Sequence, residues 1–154
     1  MQALIKHLLR LSALVASWML CAGAHAAVID IDNQELAKLL GQGIPLVDIR
    51  TAPEWLQTGI VPGSRLLPFF DAQGQANPAA WLEKVRQIAK PGDPLIVICR
   101  TGNRTKAVSQ FLSDKAGYGK VYNVRQGIVA WAQEGRSLTP VAQNALTCQM
   151  TNNC

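Results

Sequence analysis

Pro94-Leu95-Ile96-Val97-Ile98-Cys99-Arg100-Thr101-Gly102-Asn103-Arg104-Thr105 is the stretch on which the reading of this chain turns. Its first five residues form a short apolar run, the pattern of a strand buried on both faces. After Thr105, the apolar residues Ala107, Val108, Phe111 and Leu112 recur at helical spacing. Cys99 therefore falls on a turn between the carboxyl end of a strand and a helix N-terminus, the place where open α/β sheets bind ligands. That position suits an anionic sulfur, because a helix N-terminus offers unpaired N–H groups and partial positive charge. A glycine-containing turn aims further amides inward. Arg100 and Arg104 add two permanent cations, Gly102 permits a positive φ, and Thr105 can cap or hydrogen-bond the first helical turn. A lone cysteine after Ile98 would read as a small core residue; these neighbours favour a reactive thiolate.

Alternating elements extend on both sides. Val28 to Ile31 reads as an edge strand, and Asp32 or Asn33 can cap a helix through Leu40 that Gly41 and Gly43 end. Leu46 to Ile49 is a strand. Pro53 suits the first turn of a short helix holding Glu54 and Trp55. Arg65 to Pro68 is a short strand, and Asn77 caps a helix from Pro78 to about Ala89. Thr105 to Lys115 is the helix after the cysteine, stopped by Gly117 and Gly119. Val121 to Val124 is a last core strand and Ile128 to Gln133 a final helix. This order predicts an α/β fold: one domain over 27–138, with a mostly parallel central sheet and helices on both faces. Residues 139–154 read as a C-terminal tail.

The chain of 154 residues is 49% hydrophobic and 16% charged, a globular composition. Residues 1–26 are set apart from the domain. Lys6, His7 and Arg10 make a positive start, Leu11 to Ala24 is a mostly apolar stretch, and Ala24-His25-Ala26 has the form of a cleavage site. This is the pattern of a secretory signal peptide. The apolar stretch is shorter than the 18 or so residues of a spanning helix. The expected location is periplasmic, without stable membrane insertion after cleavage. Cys21 raises a lipoprotein alternative, but Met19 and Leu20 stand where small residues are needed.

Cleavage changes the inventory. Both histidines, His7 and His25, lie in the leader, so the mature chain has none. That excludes Ser-His-Asp and Cys-His hydrolysis and removes the commonest metal ligand. Loss of Lys6 and Arg10 takes Lys+Arg from 15 to 13 against 10 acids, a net charge of +3. Such a mild surplus does not indicate nucleic-acid binding; it favours approach of small anions. Cys99, Cys148 and Cys154 remain. Cys148 and Cys154 stand in a polar tail and can close a disulfide in an oxidising compartment, leaving Cys99 unpaired; the alternative is that both tail thiols are incidental.

The segment Cys99 to Thr105 resembles the active-site loop of the rhodanese (sulfurtransferase) superfamily. Leu46-Val47-Asp48-Ile49-Arg50, Glu54-Trp55 and Gly59-Ile60-Val61-Pro62-Gly63-Ser64 are similar to that family's N-terminal signature. Gly127-Ile128-Val129-Ala130-Trp131 is similar to its C-terminal element. The ordered matches cover about Ile29 to Gly135. Ile60 departs from the histidine many members carry there, a residue not needed for sulfur chemistry. Four residues lie between Cys99 and Arg104. The related dual-specificity cell-cycle phosphatases and arsenate reductases have one more, and the shorter loop suits a sulfane sulfur.

The resemblance implies sulfur transfer through a Cys99 persulfide, from thiosulfate or a similar small anionic donor to a thiol or cyanide, without metal or organic cofactor. A protein acceptor remains open. It assigns Cys99 as nucleophile and Arg100, Thr101, Gly102, Asn103, Arg104 and Thr105 as the donor cradle. Arg100 and Arg104 would guide the donor, with Arg104 also bonding loop carbonyls. Asp48 and Arg50 would brace the loop side of the domain, with Arg50 near the substrate; the alternative for the two is an ordinary salt bridge at a strand end. Glu54 is expected to pair with an arginine. Trp55, Trp81 and Trp131 are expected in the core; Phe69 and Phe70 are expected in core packing, with one of them at the pocket rim as the alternative that the resemblance implies. Two alternatives belong to other classes: a cysteine-based phosphatase or arsenate reductase, and a non-enzymatic periplasmic sulfur carrier or partner-binding module.

Overall fold

A computed structural model describes residues 27–142. Its elements in chain order are β1 (Ala27–Ile31), α1 (Asn33–Gly41), β2 (Leu46–Asp48), α2 (Ala52–Thr58), β3 (Arg65–Leu66), α3 (Pro78–Ile88), β4 (Leu95–Ile98), α4 (Asn103–Ala116), β5 (Lys120–Val124) and α5 (Gly127–Gln133). The five strands form one sheet in the order β1-β5-β4-β2-β3, every pair parallel. β1 is an edge strand, and β4 lies at the centre between β5 and β2.

The side-chain alternation of β4 divides the core in two. Leu95, Val97 and Cys99 face a cluster with Val47, Ile49 and Val121, covered by Trp81 and Val85 of α3 and by Val108 and Leu112 of α4. Ile96 and Ile98 face the opposite cluster with Leu46 and Val124, covered by Leu36 and Leu39 of α1 and by Ile128 and Trp131 of α5. Burial on both faces explains why β4 reads as an unbroken apolar run. Trp55, Trp81 and Trp131 are all buried.

Local signals set the helix starts. The Asp32 side chain, not that of Asn33, caps α1 by accepting the Glu35 N–H at 2.9 Å. Asn77 caps α3 through the Ala80 N–H at 3.1 Å, with Pro78 in the first turn. Gly117 ends α4 in the left-handed conformation.

Two boundaries differ from the sequence expectation for physical reasons. β3 stops at Leu66 rather than Pro68. The chain still follows β2, with Leu67 N–H donating to the Asp48 carbonyl at 3.1 Å and Phe69 N–H to the Ile49 carbonyl at 3.2 Å, but donors two residues apart on acceptors one residue apart break the regular ladder at Pro68. The helix after the cysteine begins at Asn103 rather than Thr105, because Gly102 takes the N-cap position at φ 90°. Thr139, expected at the start of the tail, belongs to the domain: Ile60 and Thr139 exchange two backbone bonds of 2.9 and 2.8 Å. The signal-peptide reading of 1–26 and the pairing of Cys148 with Cys154 lie outside the described residues. Among the described residues no helix is long and apolar enough to cross a membrane.

Candidate active site

β4 delivers Cys99 to the carboxyl edge of the sheet, and the loop to α4 closes over its sulfur. Cys99 is 1% exposed. The Gly102 N–H donates to Sγ at 3.2 Å, and the Thr105 hydroxyl lies 3.5 Å from Sγ. Thr105 Oγ1 also lies 2.9 Å from the Gly102 carbonyl, the other acceptor open to its single proton, and the two contacts fix its rotamer under the loop. Burial pushes the Cys99 thiol up, but the Thr105 hydroxyl and the amides of Thr105, Thr101 and Gly102 outweigh it, and the thiol lies below its ordinary 9.0. The loop thus shifts the sulfur toward the thiolate, its nucleophilic form.

The amides face inward because the carbonyls are tied outward. Ile128 N–H donates to the Cys99 carbonyl at 2.9 Å and Val129 N–H to the Arg100 carbonyl at 3.1 Å. The first turn of α5 thus uses its unpaired donors to orient the catalytic loop. Two glycines permit this approach. Gly127 has φ 60°, and a Cβ there would collide with the carbonyls of Cys99 and Arg100. Gly102 has φ 90°, and a Cβ there would collide with the Arg125 carbonyl. The sequence assigned no role to the amides of Ile128 and Val129; their signal is Gly127 at the head of its motif.

Arg104 turns away from the loop carbonyls expected to receive it. Its Nη1 donates to Glu54 Oε2 at 2.9 Å and its Nη2 to Oε1 at 2.5 Å. Glu54 Oε2 also accepts from the Thr51 N–H at 2.9 Å and the Thr51 hydroxyl at 3.0 Å, at the start of α2. The Arg104 guanidinium holds the Glu54 carboxyl down at about 2, with Thr51 assisting against partial burial. Glu54 in turn raises Arg104, and the Cys99 sulfur contributes in the same direction. The expected arginine partner of Glu54 is therefore Arg104, and α2 is braced to the cysteine loop through this pair.

Arg50 is a correction to the expected donor cradle. It is 1% exposed, and all its guanidinium nitrogens bond within the protein. Nε and Nη2 meet Asp48, Nη2 also bonds the Gly59 carbonyl at 2.9 Å, and Nη1 bonds the Thr58 hydroxyl at 2.7 Å. These bonds brace β2 against the end of α2 and leave no donor for an anion. Among the expected cradle residues, Thr101, Gly102 and Thr105 surround the sulfur. Arg104 acts beside it through Glu54, and Arg100 and Asn103 stand on the rim, Arg100 without an ion pair among the described residues. Phe69 packs edge-on against Trp81 at 4.9 Å and lines, with Phe70, a separate cavity beside α3. Among the described residues no three metal-ligating side chains converge.

The parallel sheet, the six-residue span from Cys99 to Arg104 and the inward amides define a single-cysteine anion loop on an α/β domain. The Rhodanese-like domain family matches residues 32–134, and the chain belongs to that family. It is 36% identical over 111 residues to a protein of Allochromatium vinosum named Sulfurtransferase, covering 70% of this chain and 92% of the relative. It is 31% identical over 109 residues to Thiosulfate sulfurtransferase 18 of Arabidopsis thaliana, covering 68% of this chain and 78% of the relative. The fold is similar to a rhodanese-related protein of Thermoplasma volcanium, with a TM-score of 0.56, 25% identity, and coverage of 73% of this chain and 99% of that one.

Proposed function

We propose that this protein moves a sulfane sulfur from thiosulfate, or a donor of the same type, to a thiophilic acceptor through a persulfide on Cys99. The observation that carries this reading is the Gly102 N–H donating to Cys99 Sγ at 3.2 Å inside a loop whose carbonyls are tied outward to α5. Its similarity to proteins named sulfurtransferases supports the same reaction class.

In the first step the Cys99 thiolate attacks the outer sulfur of thiosulfate. A bond forms between the two sulfurs, the sulfur–sulfur bond of thiosulfate breaks, and its electron pair leaves on sulfite. The persulfide anion occupies the volume faced by the loop amides, which stabilise its charge as they stabilise the thiolate. In the second step cyanide or a thiolate attacks the outer sulfur, and the electron pair returns to Cys99. The two steps need no external oxidant or reductant. Arg100 on the open rim attracts the anionic donor, and Arg104 adds a fixed positive charge beside the sulfur.

The test is intact-mass spectrometry of the reduced protein after thiosulfate, with Cys99→Ser as control. A gain of one sulfur atom, absent in Cys99→Ser and removed by cyanide as thiocyanate, is the expected result. A free Cys99 that gains no sulfur overturns thiosulfate as the donor.

The pattern of residues 1–26 supports export to the periplasm with cleavage before Ala27. N-terminal sequencing of protein from a periplasmic fraction tests it, and alkylation of that fraction without reduction reports whether Cys148 and Cys154 pair. A chain retaining Met1 in the cytosol overturns both the cleavage and the location.

A further inference from the structure

The sheet has two edges, the two-residue β3 and the five-residue β1. β1 pairs with β5 along its whole length, Ala27 to Ile31, without a bulge. The Arg125 N–H donates to the Ile31 carbonyl at 3.1 Å, so Ile31 turns its backbone groups toward β5. Backbone groups alternate sides along a strand, so Ile29 does the same, while Val28 and Asp30 direct theirs away from the sheet. On that outer side β1 has no strand partner among the described residues. Such an edge is a template for pairing with another chain, and proteins blunt it with Lys, Pro or a bulge. β1 has none of the three. Its one charged side chain, Asp30, accepts from Asn123 Nδ2 at 2.7 Å, back toward β5.

The two flanks of this edge are self-complementary. On one face Ile29 is 36% exposed, one of two exposed large hydrophobic side chains among the described residues. On the other face α4 carries the chain from the end of β4 back to the start of β5, so it runs against β1. Val28 and Asp30 of β1 line one cavity of about 370 Å³ with Lys106, Gln110 and Asp114 of α4. These three helical residues are exposed and follow one another at single-turn spacing. Neither Lys106 nor Asp114 makes an ion pair among the described residues. The row from Lys106 to Asp114 spans about 12 Å and β1 about 13 Å, so cation and anion stand at opposite ends of the strand.

We propose that this edge is a dimer interface whose partner is a second copy of the chain, laid antiparallel along β1 about a two-fold axis at Ile29. In that register Val28 faces the partner's Asp30, and Asp30 the partner's Val28, each pair exchanging both backbone bonds. Ile29 meets the partner's Ile29 between them, at the position where opposed side chains come closest. The same rotation lays the two α4 helices side by side in opposite directions. Lys106 then approaches the partner's Asp114, and Asp114 the partner's Lys106. The contact is isologous and therefore closes at two copies. Because the paired strands run in opposite directions, the two Cys99 loops open at opposite ends of the joined sheet, and both sulfur sites stay free. The interface stands independently of the sulfur-transfer reading.

Sedimentation equilibrium across the micromolar range should show a monomer–dimer equilibrium; a protein still monomeric at about 1 mM overturns the proposal. Hydrogen exchange locates the contact. The amides of Val28 and Asp30 should be protected in the dimer and exposed on dilution, whereas those of Ile29 and Ile31 stay protected in both states. A dimer in which Val28 and Asp30 exchange freely has its contact elsewhere and overturns the assignment. Lys106→Asp opposes like charges at both ends of the helix pair and should raise the dissociation constant about tenfold, as should Asp114→Lys. The two substitutions in one chain should restore the dimer, and a mixture of the two single variants should form the heterodimer. Ile29→Lys sets two cations on the axis and should abolish association, with circular dichroism reporting that the variant is folded. Dimerisation indifferent to all three single substitutions, or no recovery in the double variant, overturns this interface.

Discussion

Glu54 and Arg104, fifty residues apart in the chain, form a two-point ion pair of 2.5 and 2.9 Å that ties the start of α2 to the first turn of α4. Both side chains are mostly buried, at 23% and 29% exposed. The pair therefore carries more than a surface ion pair does, and less than its full shift in vacuum terms would imply. Its place beside Cys99 makes the loop's shape depend on a contact that no short stretch of sequence contains.

The sign of its pH dependence follows from Glu54. Its carboxyl is held at about 2, below the ordinary 4.5. A depressed carboxylate adds stability that is present above the unfolded value and lost as pH falls through the folded one. The wild-type protein should thus lose, between pH 4.5 and about 2, a stability increment that Glu54→Gln lacks. At pH 7 that variant should be less stable by roughly 2 kcal/mol after allowance for solvent screening. Urea unfolding of both proteins at pH 7, 4 and 3 checks this. Parallel losses in the two proteins across that window would remove Glu54 as the source.

Among the described residues Thr105 is the one side chain whose hydroxyl approaches Cys99 Sγ. Thr105→Val keeps the shape and removes that donor, so the Cys99 thiol should rise toward its ordinary 9.0. The pH dependence of iodoacetamide alkylation should show an upward-shifted midpoint. Persulfide formation at neutral pH should slow by about tenfold, the equivalent of one hydrogen bond of about 1.4 kcal/mol. An unmoved midpoint would mean that the amides alone hold the thiolate.

Two glycines of the site lie where a Cβ would strike backbone carbonyls, and Gly41 does not. Gly127→Ala meets both a positive φ and the carbonyls of Cys99 and Arg100. It should cost about 2–4 kcal/mol and displace the loop, abolishing persulfide formation in whatever folds. Gly102→Ala should act the same way against the Arg125 carbonyl. Gly41→Ala, at the end of α1 with open space around it, should be neutral or stabilising by about 0.4–1 kcal/mol. Thermal unfolding with parallel persulfide assays separates the three; an active, stable Gly127→Ala would refute the close-approach argument.

What the sequence made legible follows the range of the interactions. The strand before Cys99, the caps at Asp32 and Asn77 and the stop at Gly117 are local, written within a few residues. The core roles of Trp55, Trp81 and Trp131 follow from size and spacing. The strand order, the link from Glu54 to Arg104 and the grip of Ile128 and Val129 on the loop carbonyls are set by chain segments that meet only in the folded sheet. Even the start of α4 shifted by two residues, because Gly102 answers to the Arg125 carbonyl as well as to its neighbours.

Arg50 shows how an arginine in a recognised motif can mislead. Its alternation with Asp48 puts both on one face of a strand, and near an anion-binding loop that invites a substrate role. In the fold the two form a fully buried pair at 2.6 Å, and the remaining donors reach Thr58 and Gly59. Arg50→Gln leaves Asp48 buried without its counter-ion, which should cost about 3–5 kcal/mol. Arg50→Gln combined with Asp48→Asn removes both charges and should recover much of that loss. In either variant, assayed at a temperature where it is folded, the KM for thiosulfate should stay within about twofold of wild type, because the Arg50 donors are already taken by Asp48, Glu54, Thr58 and Gly59. A KM raised tenfold or more, with kcat intact, would return Arg50 to the donor site.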